Sequence, residues 1–414
     1  MLSRTTVKPF RGLLYNERLL GQIGRLSCPP YDIISPQQER NLKKSSPYNF
    51  CNILLKGPHQ TYEALGRRFY RWLKEGVLQE DRKEAFYLCE QRFKFSGRTY
   101  CRWGMLGLLR LNAKNKIFPH ERTHRRAKED RTNLLEKVEA NLSPVFVIYK
   151  PAQKDLIKLL AKKYRNRLPL VEFNDREKIN YRLWRLTNKK DIKNIQNYFE
   201  RRRLLIADGH HRFEVARNFY LQHKKNRTYS DINYILSYIS PADDNLLLLP
   251  IHRVINLDIT VGELMAKLKE HFRISKTKNF KRLYGKLLRA KTFSFIVYSG
   301  GKALLFSLKD KKTIFHFLTS SSNSVYCKLD VYLFHQMVLR GILKVEPEEK
   351  DIIYVNNDAR AAVKLAREKK KTAFILRPCK KEDIMNIALG GKILPQKSTY
   401  FYPKFISGLV GRKL

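Results

Sequence analysis

Along the chain the apolar positions switch repeatedly between a spacing of two and a spacing of three to four. Thr61 to Glu75 puts Tyr62, Leu65, Phe69, Trp72 and Leu73 on one side of a helix. Ala85 to Phe95 and Arg98 to Leu111 read as long strands joined at Ser96-Gly97, a dipeptide suited to a hairpin turn. Cys28-Pro29-Pro30-Tyr31-Asp32 must be extended, because each proline pushes its predecessor out of the helical region. Ser35-Pro36 then predicts a helix start, with Ser as the cap and Pro in the first turn. Further on, Ala127 to Ala140 reads as a charged helix, Pro144 to Tyr149 as a strand and Asp155 to Tyr164 as a helix. Tyr181 to Glu200 is a strand followed by a helix, and Leu204 to Ala207 is a buried strand. Asp208-Gly209 ends that strand and a strong helix follows from His210 to His223. Tyr234 to Ile239 and Leu246 to Val254 are two further strands.

Past residue 255 the pattern restarts. Thr260 to His271, Leu329 to Leu343, Asp358 to Lys369 and Lys381 to Leu389 read as helices. Ser294 to Tyr298 pairs with Ala303 to Leu308 around Gly300-Gly301, and Thr372 to Leu376 is a strand. No repeat of fixed period and no low-complexity linker interrupts this. The expected fold is therefore α+β (mixed α/β), with an N-terminal region 1–255 and a C-terminal α/β region 256–414.

Composition sharpens the class. The 414 residues are 43% hydrophobic and 12% aromatic, which excludes a disordered chain. Lys and Arg number 83 against 38 Asp and Glu, a net charge of +45. Such an excess points to an anionic partner: nucleic acid, a membrane surface or a phosphorylated small molecule. The charge is scattered, however, in short runs such as Lys43-Lys44, Arg201 to Arg203 and Lys369 to Lys371, and forms no tail. Nucleic acid is thus a secondary expectation. The six cysteines include no C-x-x-C pair, so neither zinc nor a disulfide framework is expected. No signal-type or membrane-spanning apolar run is seen, and the reading is a soluble cytoplasmic protein with no membrane partner.

The sharpest chemistry lies at Leu204 to Arg212, where a strand meets Asp208-Gly209-His210-His211-Arg212. The first amides of the following helix have no intrahelical partners, and its dipole favours anions. Gly209 allows close approach to the backbone, and Arg212 suits phosphate. Asp208 is a candidate Mg²⁺ ligand, or an orienting group for a histidine, or only a helix cap. His120-Glu121-Arg122-Thr123-His124 has the zinc-protease spacing, but Pro119 and the cationic surroundings argue against zinc. Its other reading is a phosphate clamp of His120, Arg125, Lys128 and Arg131. Asp32 is a candidate general base on a fixed turn. His252-Arg253 stands at a strand end, and Pro395 to Lys404 is a polar-aromatic loop or buried tether. Asp330 and His335, five residues apart, would point about 140° apart on a helix and so share no site.

Several motifs in order resemble the family of domain of unknown function 1015. They are Lys8-Pro9-Phe10-Arg11-Gly12-Leu13, Pro29 to Ile34, Ser46-Pro47-Tyr48-Asn49, and Pro119-His120-Glu121 with Thr123. Lys128 to Arg131, Ala140 to Pro144, Leu183-Trp184, Ile206 to Arg212, Leu249-Pro250 with His252-Arg253, and Pro395 to Lys404 complete the set. The elbow at Asp208 is also similar to the phosphate motif of the ParB and sulfiredoxin superfamily, which includes free serine kinases. That resemblance implies a ParB/sulfiredoxin-like core with large additions. It implies catalytic roles for Asp208, His210 and His211, with Asp208 as a Mg²⁺ ligand, while Asp32 is the candidate base by its position near the N-terminus and not by a shared motif. Phosphate contacts would come from Gly209, Arg212, His120, Lys128, Arg131, His252, Arg253, Lys397, Ser398 and Thr399. The implied cofactors are Mg²⁺ and ATP or ADP, and the implied reaction is phosphoryl transfer to or from a serine-like hydroxyl compound. The alternative is a ParB-like nucleotide- or DNA-binding regulator. The sequence departs from the family at Asn245, where Gly is usual, and at Arg377, where Asn is usual.

Overall fold

Two long antiparallel strands joined by a tight turn anchor the first part of the molecule. Ser96 and Gly97 have φ of 48° and 79°, the consecutive positive values of a type I′ hairpin. The computed structural model describes residues 5–113, 115–121, 125–226, 229, 231–257, 259–317, 321–348, 351–395 and 397–414. Contacts divide the chain into one unit of residues 1–246 with 403–414, and a second of 247–402. The architecture is mixed α/β of the α+β kind.

The large sheet of the first unit contains β1 (Val7–Lys8), β2 (Phe86–Phe95), β3 (Arg98–Arg110), β4 (Ile117–Phe118) and β5 (Val145–Tyr149). It continues with β6 (Val171–Asn174), β7 (Asn180–Leu186), β8 (Leu204–Asp208) and β9 (Tyr234–Pro241). The order is β4-β8-β5-β9-β3-β2-β7-β6, with β1 beside β3. β4 runs parallel to β8 and β5 parallel to β9, while β8 and β5 are antiparallel. β5 is buried at every residue, which explains its unbroken Val-Phe-Val-Ile-Tyr run.

The helices of this unit are α1 (Tyr62–Lys74), α2 (Arg125–Val138), α3 (Leu156–Tyr164), α4 (Lys189–Glu200) and α5 (His210–His223). Thr61, Asp155 and Asn188 cap α1, α3 and α4 through their side chains. Ile157, Leu160, Ile195 and Phe199 pack into one core with Val145, Val147, Trp184, Leu204 and Ile206. Gly66 of α1 faces α2 so closely that a Cβ would lie 2.4 Å from the Lys137 carbonyl oxygen, a backbone atom that cannot yield.

Residues 403–414 return to the first unit. Phe405, Ile406, Leu409, Val410 and Arg412 are all buried there. Phe405 stacks on Tyr238 at 4.1 Å, and Arg412 donates to the Tyr234 carbonyl at 2.6 Å.

The second unit is built on an antiparallel sheet of β10 (Ile251–Ile255), β11 (Phe272–Lys276), β12 (Ser294–Ser299), β13 (Lys302–Leu308), β14 (Ile352–Asn356) and β15 (Thr372–Ile375). The order is β11-β13-β12-β15-β10-β14. Helices α6 (Phe280–Arg289) and α7 (Ala359–Glu368) cover it with Leu283, Leu287, Ala359, Ala362 and Ala366.

Three sequence expectations change here. The strand expected over Leu246 to Val254 is two strands, because Pro250 has no N–H for a ladder. Leu247–Leu249 pairs with Tyr400–Tyr402, whereas Ile251–Ile255 joins the six-stranded sheet of the second unit. Both pairings belong to the second unit, so the chain passes between units at 246/247 rather than near 255. The helix expected over Leu329 to Leu343 is α-helical only at Asp330–Leu333 and continues as a π-helix over Phe334–Leu343. Its buried residues are Phe334, Met337, Val338, Leu339 and Leu343. All six cysteines are free, and among the described residues no helix is long and apolar enough to cross a membrane.

Candidate functional site

β8 delivers Asp208 to the start of α5 across a register shift between Ile206 and Asp208. Gly209 follows with φ 89°, a left-handed turn that reverses the chain into the helix without a side-chain cap. The guanidinium of Arg212 lies directly over Gly209, where a Cβ would come within 3.0 Å of it. Arg212 Nη2 donates to Asp208 Oδ2 at 2.7 Å, and its Nη1 donates to the Pro144 carbonyl. Arg212 Nε is buried with no hydrogen-bond partner among the described residues. Lys404, brought in by the returning C-terminal segment, donates to Asp208 Oδ1. Two cations therefore share one carboxylate, whose side chain is only 11% exposed. Burial alone would raise the Asp208 carboxyl, but Lys404 and Arg212 outweigh it and hold it at about 2.

Lys404 was not among the residues expected to bind phosphate. Its signal was its place at the end of the Pro395 to Lys404 motif. Arg102 fixes its approach: this fully buried guanidinium donates to the Pro403 carbonyl at 2.7 Å and to Gln91 at 2.6 Å.

His120 and His210 form a second buried layer. His120 Nδ1 donates to the Ile206 carbonyl at 2.6 Å, and the His120 amide donates to His210 Nε2 at 3.3 Å. Their rings meet edge to face at 4.6 Å. Burial pushes both imidazoles below their usual range. His211, next along the helix, is half-buried.

The N-terminal turn reaches the same neighbourhood. Burial, and then Asp32, push the Tyr31 hydroxyl up to about 12, while Arg131, Arg212 and Asp208 also act on it. Asp32 itself is exposed. Arg131 is buried under the Tyr31 ring at 4.1 Å and donates to Asp130 at 2.6 Å and to the Leu54 carbonyl at 3.2 Å. Lys128 is paired with Glu214 of α5 at 2.9 Å. A cavity of about 50 Å³ lies between Tyr31, Arg131, Asn141, Ser143 and Arg212. That volume admits water-sized groups, not a nucleoside.

The remaining candidates belong to the second unit. His252 is fully buried, and its Nδ1 accepts the Leu376 amide at 3.3 Å. Burial, and then Arg253, push it down to about 4. Arg253 donates to the carbonyls of Lys397, at 2.8 Å, and Ile251, and lies against the Tyr354 ring. Ser398 Oγ donates to the Pro395 carbonyl at 2.5 Å. Lys397 is exposed and Thr399 half-buried. The contacts of Arg253 and Ser398 are those of a tethered loop. Arg122, Thr123, His124 and Gln396 lie outside the described residues. Among the described residues no three His, Cys, Asp or Glu side chains cluster closely enough to hold a metal.

The buried histidines set a pH dependence. In the unfolded chain they take up protons near about pH 6.5, whereas folded His252 resists until about 4. Their folded values are depressed, so stability is full above about pH 6.5 and is lost as pH falls below it. Urea midpoints are expected to drop between pH 7.5 and 4.5, with His252→Gln flattening the decline. Identical midpoints at the two pH values would contradict this.

The family model described as a protein of unknown function, DUF1015, matches residues 7–332. The chain belongs to this family. Lys404 lies beyond the matched DUF1015 segment, which ends within the second unit. No curated protein sequence matches the chain. In structure, this DUF1015 protein is similar to a free serine kinase mutant in complex with ADP. The two are 13% identical, with 71% of this chain and 86% of the other covered and a TM-score of 0.35. It is also similar to a conserved hypothetical protein from Pyrococcus furiosus, at 15% identity, 72% and 91% coverage and TM-score 0.32. A third likeness is to SbnI with a C-terminal truncation from Staphylococcus aureus, at 9% identity, 73% and 85% coverage and TM-score 0.37. None of these likenesses bears on the chemistry of the elbow.

Proposed function

We propose that this DUF1015 protein binds the phosphate end of a nucleotide (ATP or ADP) or of a phosphorylated small molecule at the Asp208–Arg212 elbow. It transfers the phosphoryl group to or from a small hydroxyl compound of the serine kind. The observation that carries this reading is the convergence of Lys404 and Arg212 on one carboxylate at an uncapped helix start. Two cations against one anion leave room for a second anion, and the helix amides favour it. Lys404, Arg212 and the Gly209 backbone would hold the transferred group, so catalysis would rest on positioning and charge.

Asp32, exposed and acting on the same Tyr31 as the elbow, is the candidate base for the acceptor hydroxyl. His211, half-buried, is the candidate histidine to contact a ligand, while His210 accepts the His120 amide. Lys128 and Arg131 would contribute their field rather than direct contacts, since both already have partners. The residues at Asp208 do not fit a resident magnesium ion, because both carboxylate oxygens are taken by cations. No step here needs one held by the protein.

The test is incubation with ATP, ADP or pyrophosphate, Mg²⁺ and a panel of hydroxy compounds including serine, with products read by mass spectrometry. A phosphorylated product is expected, and Lys404→Met should lower its rate by about 100-fold. If no donor is consumed, and Lys404→Met binds ADP as the wild type does, the proposal fails.

A further inference from the structure

The second unit carries a concentration of positive charge that the elbow does not use. No Asp or Glu occurs between Glu270 and Asp310, while Arg273, Lys276, Lys278, Lys281, Arg282, Lys286, Arg289 and Lys291 fall in that stretch. Helix α6 turns Leu283 and Leu287 into the core and leaves Lys281, Arg282, Lys286 and Arg289 exposed. At its C-terminal end opens a cleft of about 900 Å³, to which Leu288 and Ala290 contribute. Lys291, Lys311, Lys328 and Lys380, all exposed, stand around it. Two acids line it: Asp330 is already neutralised by Arg377, whose Nε and Nη2 donate to it at 2.5 and 2.9 Å, and Asp383 stands against the four lysines. Phe315, 65% exposed, and Leu288, 49% exposed, offer apolar surface inside this cationic ring.

We propose that this cleft, continued along the exposed face of α6, is a binding site for single-stranded nucleic acid. The chemistry matches what a single strand presents: phosphates for the lysines and an unpaired base to stack on Phe315. The positive face runs about 12 Å further, from Arg289 back to Lys281, beyond the reach of a mononucleotide seated in the cleft. A membrane surface is the weaker occupant, because α6 turns Leu283 and Leu287 into the unit's own core and exposes Leu288 rather than a continuous apolar face. A duplex hides the base faces that Phe315 would stack on. The proposal does not rest on the phosphoryl-transfer reading, which concerns the other unit.

The test is fluorescence anisotropy of the full chain with a dye-labelled twelve-nucleotide oligouridine over a range of salt. Binding should weaken steeply with salt. Lys291→Glu/Lys328→Glu/Lys380→Glu should lower affinity by at least about tenfold and flatten the salt slope, because each reversal removes a phosphate contact. Phe315→Ala should cost about tenfold through lost stacking. All four positions are exposed, and unchanged melting curves will confirm that the variants fold. A control reversal of exposed Lys44, Lys162 and Lys178 in the first unit changes net charge equally and should cost little. The proposal is overturned if the control costs as much as the cleft variant, if uridine monophosphate competes as well as the oligomer, or if a duplex binds equally tightly. An oligouridine that does not bind at all overturns it too, while leaving turnover at the elbow intact.

Discussion

A chain ending at Tyr402 is expected to yield no cooperatively folded first unit. Residues 403–414 bury Phe405, Ile406, Leu409 and Val410. Each such side chain contributes about 1.5–3 kcal/mol by burial, and four together rival the total of about 5–15 kcal/mol that holds a typical domain. The polar losses add to this. Arg102, at 0% exposure, would lose the Pro403 carbonyl, and the Tyr234 carbonyl would lose Arg412. The isolated bridge of Cys28 to Ser407, next to Pro29-Pro30, would go as well. Near-ultraviolet circular dichroism and urea unfolding of the 1–402 chain should show one transition, from the second unit, where the full chain shows both. If 1–402 unfolds like the full chain, the returning segment is an accessory rather than part of the core.

That segment also marks where the sequence was readable and where it was not. Local signals were strong at the hairpin, where Ser96-Gly97 sits between two alternating runs, and at α5, whose bounds His210–His223 match the pattern. Caps were equally legible: Ser35 caps the helix that begins at Pro36, as Ser-Pro suggested, and Gln38 adds the reciprocal half of a capping box. What failed to appear were elements whose patterns are short or masked by charge. β11, Phe-Arg-Ile-Ser-Lys, alternates over only five residues, and α6 interrupts its leucines with lysines and arginines. Chain return is a long-range property. No local pattern near Lys404 says that it meets Asp208, nearly two hundred positions earlier, so the sequence named the carboxylate and missed one of its two cations.

The two departures from the family pattern show the same limit. Asn245 accepts the Cys101 amide at 3.1 Å through its side chain, a contact glycine could not make. Arg377 binds Asp330 and two backbone carbonyls, those of Ala290 and Thr292. The reading that Asp330 does not pair with His335 was legible from helical geometry, but its actual partner was not, because Arg377 comes from beyond β15.

Asp208→Ala is expected to destabilise the first unit by about 3–5 kcal/mol, the usual cost of stranding buried charge. Lys404 and Arg212, with side chains 12% and 11% exposed, would face each other with no anion between them. Lys404→Met in the same chain removes half of that repulsion, so the double variant should lose less than the sum of the single ones. The pH dependence has a definite sign. Folded Asp208 sits at about 2 against an ordinary 3.8, a depressed value, so its stabilisation is present above about 4 and disappears as pH falls toward 2. The alanine variant should lack that part of the acid transition. Inorganic phosphate separates the structural from the binding role. In the wild type the carboxylate competes with any anion for the two cations. In Asp208→Ala phosphate has no competitor, and it should raise the variant's melting temperature more than the wild type's. A variant as stable as the wild type and indifferent to phosphate would mean that the cations are not held at the elbow, and the anion site there would be lost with them.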